Sequence, residues 1–450
     1  MHTLVKQFVK SQISDVEWKH RLITAAQYYE DLAVTSQSLW DYLDARDLYF
    51  DADEFNQAGE IVANATEYLH RWGLIEFVLR LNREAELTAG GSVKAAAINH
   101  LGIILTGLGD YDGALQQYER SLEMYRELGN KAGAARSLWG LGMIFDNRGD
   151  YDQGLMKYEE GLKILRELGD KTGIAGLLHQ IGTIYQKRGD LDQALEMYQE
   201  SLKIKREGGD KSGIAKSLHQ VGMVYQQRGD YDKALELYEE SLKLLRELGN
   251  KSGIAISLHA VGMVYEDRGD YDRALEMYEE SLDMLRELGD KSGIAISLHQ
   301  VGNIYYQHGD YDRALEQYQE SLKIARELGD RLGIAGSLHQ VGNIYYQNGD
   351  YDQALEMYTE SLEIERELGD KSGIANTLGQ IGRVYEERRQ YKEALTDYLI
   401  AASIFAELGS PVLTTAQACI ADLQKTLGKK KFEKLYDEVV AELEQGGANE

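Results

Sequence analysis

Five of the ten histidines stand exactly one period apart, every forty residues: His179, His219, His259, His299 and His339. Asn99 and Trp139 precede them at the same phase, and Gly379 follows. A row of imidazoles suggests metal binding, hydrogen bonding to the backbone of an extended peptide, or a gain of charge near pH 6. Duplication of a tolerated polar residue accounts for the row equally well. Metal is the least favoured chemistry. Rungs on successive packed helices stand on the order of 10 Å apart, whereas zinc–nitrogen bonds span only ~2.0–2.1 Å, so two rungs barely converge.

Two adjoining rows vary. One reads Met143, Thr183, Met223, Met263, Asn303, Asn343 and Arg383; the next reads Asp146, Gln186, Gln226, Glu266, Tyr306, Tyr346 and Glu386. Met223 and Met263, with Ile256 and Ile296 nearby, offer adaptable apolar contact. Asn303 and Asn343 can both donate to and accept from a peptide amide. Tyr306 and Tyr346 supply rigid contact area or pack on one another. Arg136, Lys187, Lys216 and Arg383 nearly balance Asp146, Glu266, Asp267, Glu386 and Glu387, so this face demands no basic ligand.

Other chemistry is sparse. The recurring GDKSG lacks the Gly-Lys-Ser order of a phosphate loop and no strand precedes it. The recurring GDYD is far shorter than a calcium loop, and helix capping explains it. The single cysteine, Cys419, sits in an apolar helix and reads as a buried structural thiol. No nucleophile or acid–base set occurs at a credible spacing, so the reading is non-catalytic, with no cofactor and no metal.

The elements that must position these rows follow from the period. Tyr111, Tyr151, Leu191, Tyr231, Tyr271, Tyr311, Tyr351 and Tyr391 share one phase of a forty-residue repeat. In the unit that ends near residue 249, Leu218, Val221, Gly222 and Tyr225 form one helical stripe, with Ser212 as the expected N-cap. Gly229 breaks that helix. Ala234, Leu235, Tyr238, Leu242 and Leu245 form the stripe of the next. Small residues such as Gly222 and Ala234 recur where the two helices are expected to cross closely. One such hairpin cannot bury its own apolar face, but a stack can, which predicts an all-α solenoid of antiparallel helix pairs.

The residues Leu218, Val221, Gly222, Tyr225, Gly229, Tyr231, Ala234, Tyr238 and Ser241 resemble the tetratricopeptide repeat. The usual first-position Trp is replaced by Leu, and the Pro that ends the common 34-residue form is absent. The string RELGDKSGIAxSLHQVGN is similar to the forty-residue subtype of Pins-type polarity adaptors and to the sensor arms of STAND NTPases. The resemblance implies a right-handed superhelix whose concave face carries the histidine row and takes a peptide segment or helix of a partner. It also implies that Asn303 and Asn343, each in a Gly-Asn dipeptide, help to hold an extended ligand. A sensor arm of a STAND-type ATPase and a self-associating scaffold are the alternatives.

The chain has 450 residues and a net charge of −26, which opposes nucleic-acid and anionic-membrane partners. One proline favours helix, and one cysteine precludes an intrachain disulfide. The opening residues lack the apolar run of a signal peptide, and no stretch reaches the ~18 apolar residues of a membrane span, so a cytoplasmic protein is expected. Residues 1–91 read as a divergent helical cap with one degenerate repeat, 92–410 as eight units, and 411–450 as a closing helix pair with Lys425, Lys429, Lys430, Lys431 and Lys434. The TAGGS segment at 88–92 reads as a hinge or a tight connection.

Overall fold

The computed structural model describes residues 14–36, 39–71 and 74–446, with twenty-two helices and no strand among them. The chain divides into two compact units, Met1–Arg228 and Gly229–Glu450. In the first unit, helices Asp15–Ser36, Leu39–Asp51, Phe55–Arg71 and Ile75–Thr88 precede a regular series. That series pairs Gly91–Gly107 with Tyr111–Glu127, Lys131–Asn147 with Tyr151–Leu168, and Lys171–Arg188 with Leu191–Gly208, and Lys211–Gln227 follows. The second unit opens on Tyr231–Glu247. It continues with Lys251–Asp267 and Tyr271–Leu288, Lys291–Gln307 and Tyr311–Leu328, Arg331–Asn348 and Tyr351–Leu368, and Lys371–Glu387 and Tyr391–Glu407. Leu413–Leu427 and Lys429–Gly446 end it. The first helix of each pair is termed A and the second B.

The chain reverses about every twenty residues because glycine and aspartate punctuate it. From Gly109 to Gly369 the turn glycines hold φ between +64° and +82°, where a Cβ would cost about 1–2 kcal/mol. Gly109 N–H bonds to the Thr106 carbonyl at 3.1 Å and Asp110 N–H to that of Leu105 at 3.0 Å, which satisfies carbonyls that the helix end would orphan. The carboxylate of Asp110 then accepts from Gly113 N–H at 2.9 Å, and Asp210 accepts from Gly213 N–H at 2.9 Å. Ser212, the expected cap, therefore lies inside its helix. At 88–92 the chain makes a tight connection, with Gly90 N–H bonded to Asn56 Oδ1 at 3.0 Å.

Inside each pair, one buried B-helix tyrosine organises the core. Tyr158, Tyr198, Tyr278, Tyr318 and Tyr358 have no exposed surface. A Cβ on Gly142 would fall 2.3 Å from the Tyr158 ring, and one on Gly302 would fall 2.7 Å from that of Tyr318. The A-helix glycines therefore admit an aromatic ring, a more specific reason for their smallness than close crossing of two backbones. A serine ties B to A: Ser201, Ser281, Ser321 and Ser361 donate to the carbonyls of Ala175, Ala255, Ala295 and Ala335. Outside, ion pairs recur at fixed offsets: Lys131–Glu167 at 2.7 Å closes a hairpin, whereas Arg166–Glu200 at 3.1 Å and Arg188–Asp152 at 2.7 Å join successive ones.

Candidate binding face on the A helices

Within each unit the A helices form a continuous layer. Gly91–Gly107 touches Lys131–Asn147 in the first unit, and Arg331–Asn348 touches both Lys291–Gln307 and Lys371–Glu387 in the second. The sequence-derived rows lie on this layer. His179, His219 and Met223 belong to the first unit; His259, Met263, His299, Asn303, Tyr306, His339, Asn343, Tyr346 and Arg383 belong to the second.

The histidines serve the fold as much as the surface. Four of the five rings pack on the core tyrosine of their own hairpin, His179 on Tyr198 at 5.2 Å, His259 on Tyr278 at 5.0 Å, His299 on Tyr318 at 5.2 Å and His339 on Tyr358 at 5.5 Å between centroids. His259 Nδ1 reaches Ser297 Oγ of the following hairpin at 3.4 Å, and His339 Nδ1 reaches Thr377 Oγ1 at 2.9 Å. Burial pushes the imidazoles of His179, His219 and His339 down to about 4 and holds those of His259 and His299 below their usual value. His179, His219 and His339 therefore stay neutral at pH 6, which overturns the expected gain of charge at those three rungs. Among the described residues no cluster of three or more His, Cys, Asp or Glu side chains is arranged to hold a metal.

The variable rows have an internal logic in several repeats: they satisfy the hydroxyl of the buried tyrosine, whereas that of Tyr158, opposite Met143, is left without a partner among the described residues. Tyr318 donates to Asn303 Oδ1 at 2.7 Å and Tyr358 to Asn343 Oδ1 at 2.7 Å. Where methionine replaces asparagine, at Met263, the acceptor moves one turn onward and Tyr278 donates to Glu266 at 2.8 Å. Arg383 also lacks an acceptor, and Tyr398 donates to Glu386 at 2.9 Å. Tyr198 meets both Thr183 and Gln186. The Asn303 and Asn343 amide nitrogens donate to Gln300 and Gln340. Each asparagine therefore keeps one N–H for a guest, while its carbonyl is engaged within the fold.

Tyr306 packs on Tyr311 at 5.4 Å and Tyr346 on Tyr351 at 5.9 Å, so neither expected tyrosine stacks on the other. Arg383 lies over the Tyr346 ring at 4.8 Å and remains exposed. The groups most available to a guest are apolar: Ile256 and Ile296 are each 55% exposed and Met263 is 37% exposed, whereas Met223 is half-buried. Gly336 follows Ile256 and Ile296 at the same phase and leaves a notch whose nearest neighbour is the His299 ring, at 4.0 Å from a Cβ position. Sequence reasoning missed this notch and the tyrosine hydroxyls. The signal was present in the fixed offsets of fifteen and twelve residues between acceptor and tyrosine.

The tetratricopeptide repeat profile matches residues 94–167, 173–247, 253–327 and 333–405, well over half of the chain. The protein belongs to the tetratricopeptide repeat family. Each match takes in two helix pairs of this repeat protein. Solved structures share the fold at low identity. A Rap protein complexed with competence and sporulation factor matches with a TM-score of 0.53 and 16% identity, over 79% of this chain and 99% of that one. The quorum sensor NprR from B. thuringiensis, in its apo form, matches with a TM-score of 0.56 and 16% identity, over 80% and 99% of the two chains. A STAND protein with a tetratricopeptide repeat sensor from Pyrococcus horikoshii matches with a TM-score of 0.53 and 15% identity. That match covers 99% of this repeat protein and 57% of the STAND protein. No curated protein matches the chain by sequence.

Proposed function

We propose that this tetratricopeptide repeat protein is a non-catalytic scaffold that takes a peptide segment or helix of a partner along its A-helix face. The observation that carries the reading is a stripe of side chains that the core does not require: Ile256, Ile296 and Met263 lie open on the layer, followed by the Gly336 notch and exposed Arg383. Apolar anchors with a few polar groups to fix register are what a groove for a peptide needs. His259, His299, His339, Asn303, Asn343, Tyr306 and Tyr346 form the half-buried wall around it, and His179, His219 and Met223 a comparable wall in the first unit. The similar Rap structure is a complex with competence and sporulation factor, which supports a binding role for such an array. The eight repeats of 92–410 act as the binding array, with residues 1–91 and 411–450 as flanking caps, in the cytoplasm. Self-association through the same face is the competing use of an open apolar stripe.

The test is selection of peptides from a displayed random library on the immobilised protein, followed by affinity measurement against Ile256→Asp/Ile296→Asp. Both side chains are exposed, so the variant keeps the fold. A loss of tenfold or more supports the reading, and unchanged affinity for every selected peptide refutes it. A second reading, the sensor arm of a STAND-type ATPase, draws support from the fold match to the Pyrococcus horikoshii protein, which extends over the amino-terminal helices as well as the repeats.

A further inference from the structure

A cleft of about 660 Å³ opens in the first unit among the helices Tyr151–Leu168, Lys171–Arg188 and Leu191–Gly208. It lies away from the A-helix stripe and does not rest on the groove reading. Leu162, Leu178, Ile181 and Met197 give it an apolar floor, Tyr185 gives it an aromatic wall, and Glu159 stands at its edge.

Two repeats of the second unit show what this wall holds when it is filled, while a third, with Tyr345 and Gln353, repeats the combination found at Tyr185. Tyr265 and Tyr305 occupy the phase of Tyr185, eighty and one hundred and twenty residues on. Arg273 lies over the Tyr265 ring at 5.4 Å, with its Nε 3.3 Å from Asp270. Arg313 lies over the Tyr305 ring at 4.8 Å, with its Nε 2.6 Å from Asp310. Each guanidinium is thus bracketed between an aromatic face and the carboxylate that opens the B helix. Tyr185 walls the cleft; beyond its lining, Asp190 and Gln193 stand at the repeat positions of Asp270 and Arg273, so the carboxylate is kept and the arginine is replaced, one turn ahead of Met197. Asp190 makes no side-chain cap bond, unlike Asp270 and Asp310.

We propose that this cleft docks an arginine side chain of a partner protein, stacked on Tyr185 against Asp190, with an adjacent apolar residue on the Leu162–Leu178–Ile181 floor. The surrounding charge favours one such group. Burial, followed by the carboxylate of Glu159 and more weakly by those of Asp190 and Glu196, holds the Tyr185 hydroxyl above its usual value against the opposing charge of Arg188. The cations around it are committed elsewhere: Arg188 pairs with Asp152 at 2.7 Å and Arg166 with Glu200 at 3.1 Å. Glu167 is taken by Lys131 at 2.7 Å. Lys163, which also lines the cleft, repels a second cation, so the fit is to a single arginine beside an apolar residue rather than to a polybasic segment.

The probe is acetyl-Leu-Arg-amide, compared with acetyl-Leu-citrulline-amide, which keeps the shape and loses the charge. Binding to the full chain is followed by the methyl resonance of carbon-13-labelled Met197, assigned through Met197→Leu. Saturable movement with the arginine probe is expected, at least tenfold weaker with citrulline and with Asp190→Asn. Gln193→Arg installs the arrangement seen at Arg273 and Arg313 and should abolish the movement. An unmoved Met197 signal, equal response to citrulline, or binding that survives Gln193→Arg overturns the proposal.

Discussion

A buried tyrosine hydroxyl needs an acceptor, and that need governs residues that look like ligand contacts. Asn303 accepts from Tyr318 at 2.7 Å, so Asn303→Ala is expected to cost about 1–3 kcal/mol by leaving the hydroxyl unpaired. In a Tyr318→Phe background the same change should cost much less, and urea-unfolding midpoints of the four proteins measure the coupling. An asparagine kept for a ligand alone would show no coupling. The histidines carry a second expectation. Their folded-state values lie below that of an unfolded histidine, near 6.5, so the unfolded chain binds more protons as pH falls. Their contribution is present above pH 6.5 and is lost progressively down to about 4, on the order of 1.4 kcal/mol per pH unit for each histidine. His179→Asn should flatten the dependence of unfolding free energy on pH by one proton in that window, and an unchanged slope would show that His179 is solvated in the folded protein. The rows were legible as one helical face, but their burial was not. A half-buried position on an A helix looks outward and against Tyr198 or Tyr278 at once, and one chain's spacing does not separate the two.

At the scale of the hairpin the sequence is more transparent, because glycine, aspartate and the tyrosine phase recur in register. The exceptions are instructive. Arg389 stands where the other turns have glycine and adopts φ of 61°, a backbone region that costs a side chain about 1–2 kcal/mol. Arg389→Gly should therefore raise the thermal midpoint, with roughly 1 kcal/mol gained after the added freedom of glycine in the unfolded chain is subtracted. A second exception is a coupled pair. Most junctions carry a hydroxyl residue at both positions, and at one of them Ser121 Oγ and Ser137 Oγ meet at 3.0 Å. At the next junction Gly161 replaces serine and fully buried Leu177 fills the space, 3.1 Å from where a Cβ would stand. Gly161→Ser alone should destabilise by about 1–3 kcal/mol through overpacking, and adding Leu177→Ser should recover part of that loss despite removing apolar area. Additive midpoints in calorimetry would show that the two sites are independent. Both substitutions are visible as breaks in the copied frame, but their contact is not, since sixteen residues of two helices separate them.

Across the whole molecule, period and family were readable, whereas the division between Arg228 and Gly229 was not. The Arg-Gly-Asp at 228–230 is the same tripeptide as at 148–150 and 268–270, so nothing local distinguishes it. Charge acts at this scale too. The chain carries −26, and many of its cations already stand in pairs within or between hairpins, such as Lys291–Glu327 at 2.7 Å and Arg268–Asp232 at 2.8 Å. Those pairs are exposed, and each contributes about 0–1 kcal/mol. The acidic excess has no such partners, and its mutual repulsion opposes compaction throughout. Salt weakens both effects, with a screening length that falls from ~30 Å at 0.01 M to about 8 Å at 0.15 M. Paired charges sit within a few ångströms, inside that length at either salt concentration, whereas much of the repulsion acts over larger separations and is screened first. Raising sodium chloride through this range should therefore raise the thermal midpoint. A midpoint that falls instead would mean that the ladders joining successive hairpins outweigh the net charge, and that they act as a cooperative network rather than as isolated surface pairs.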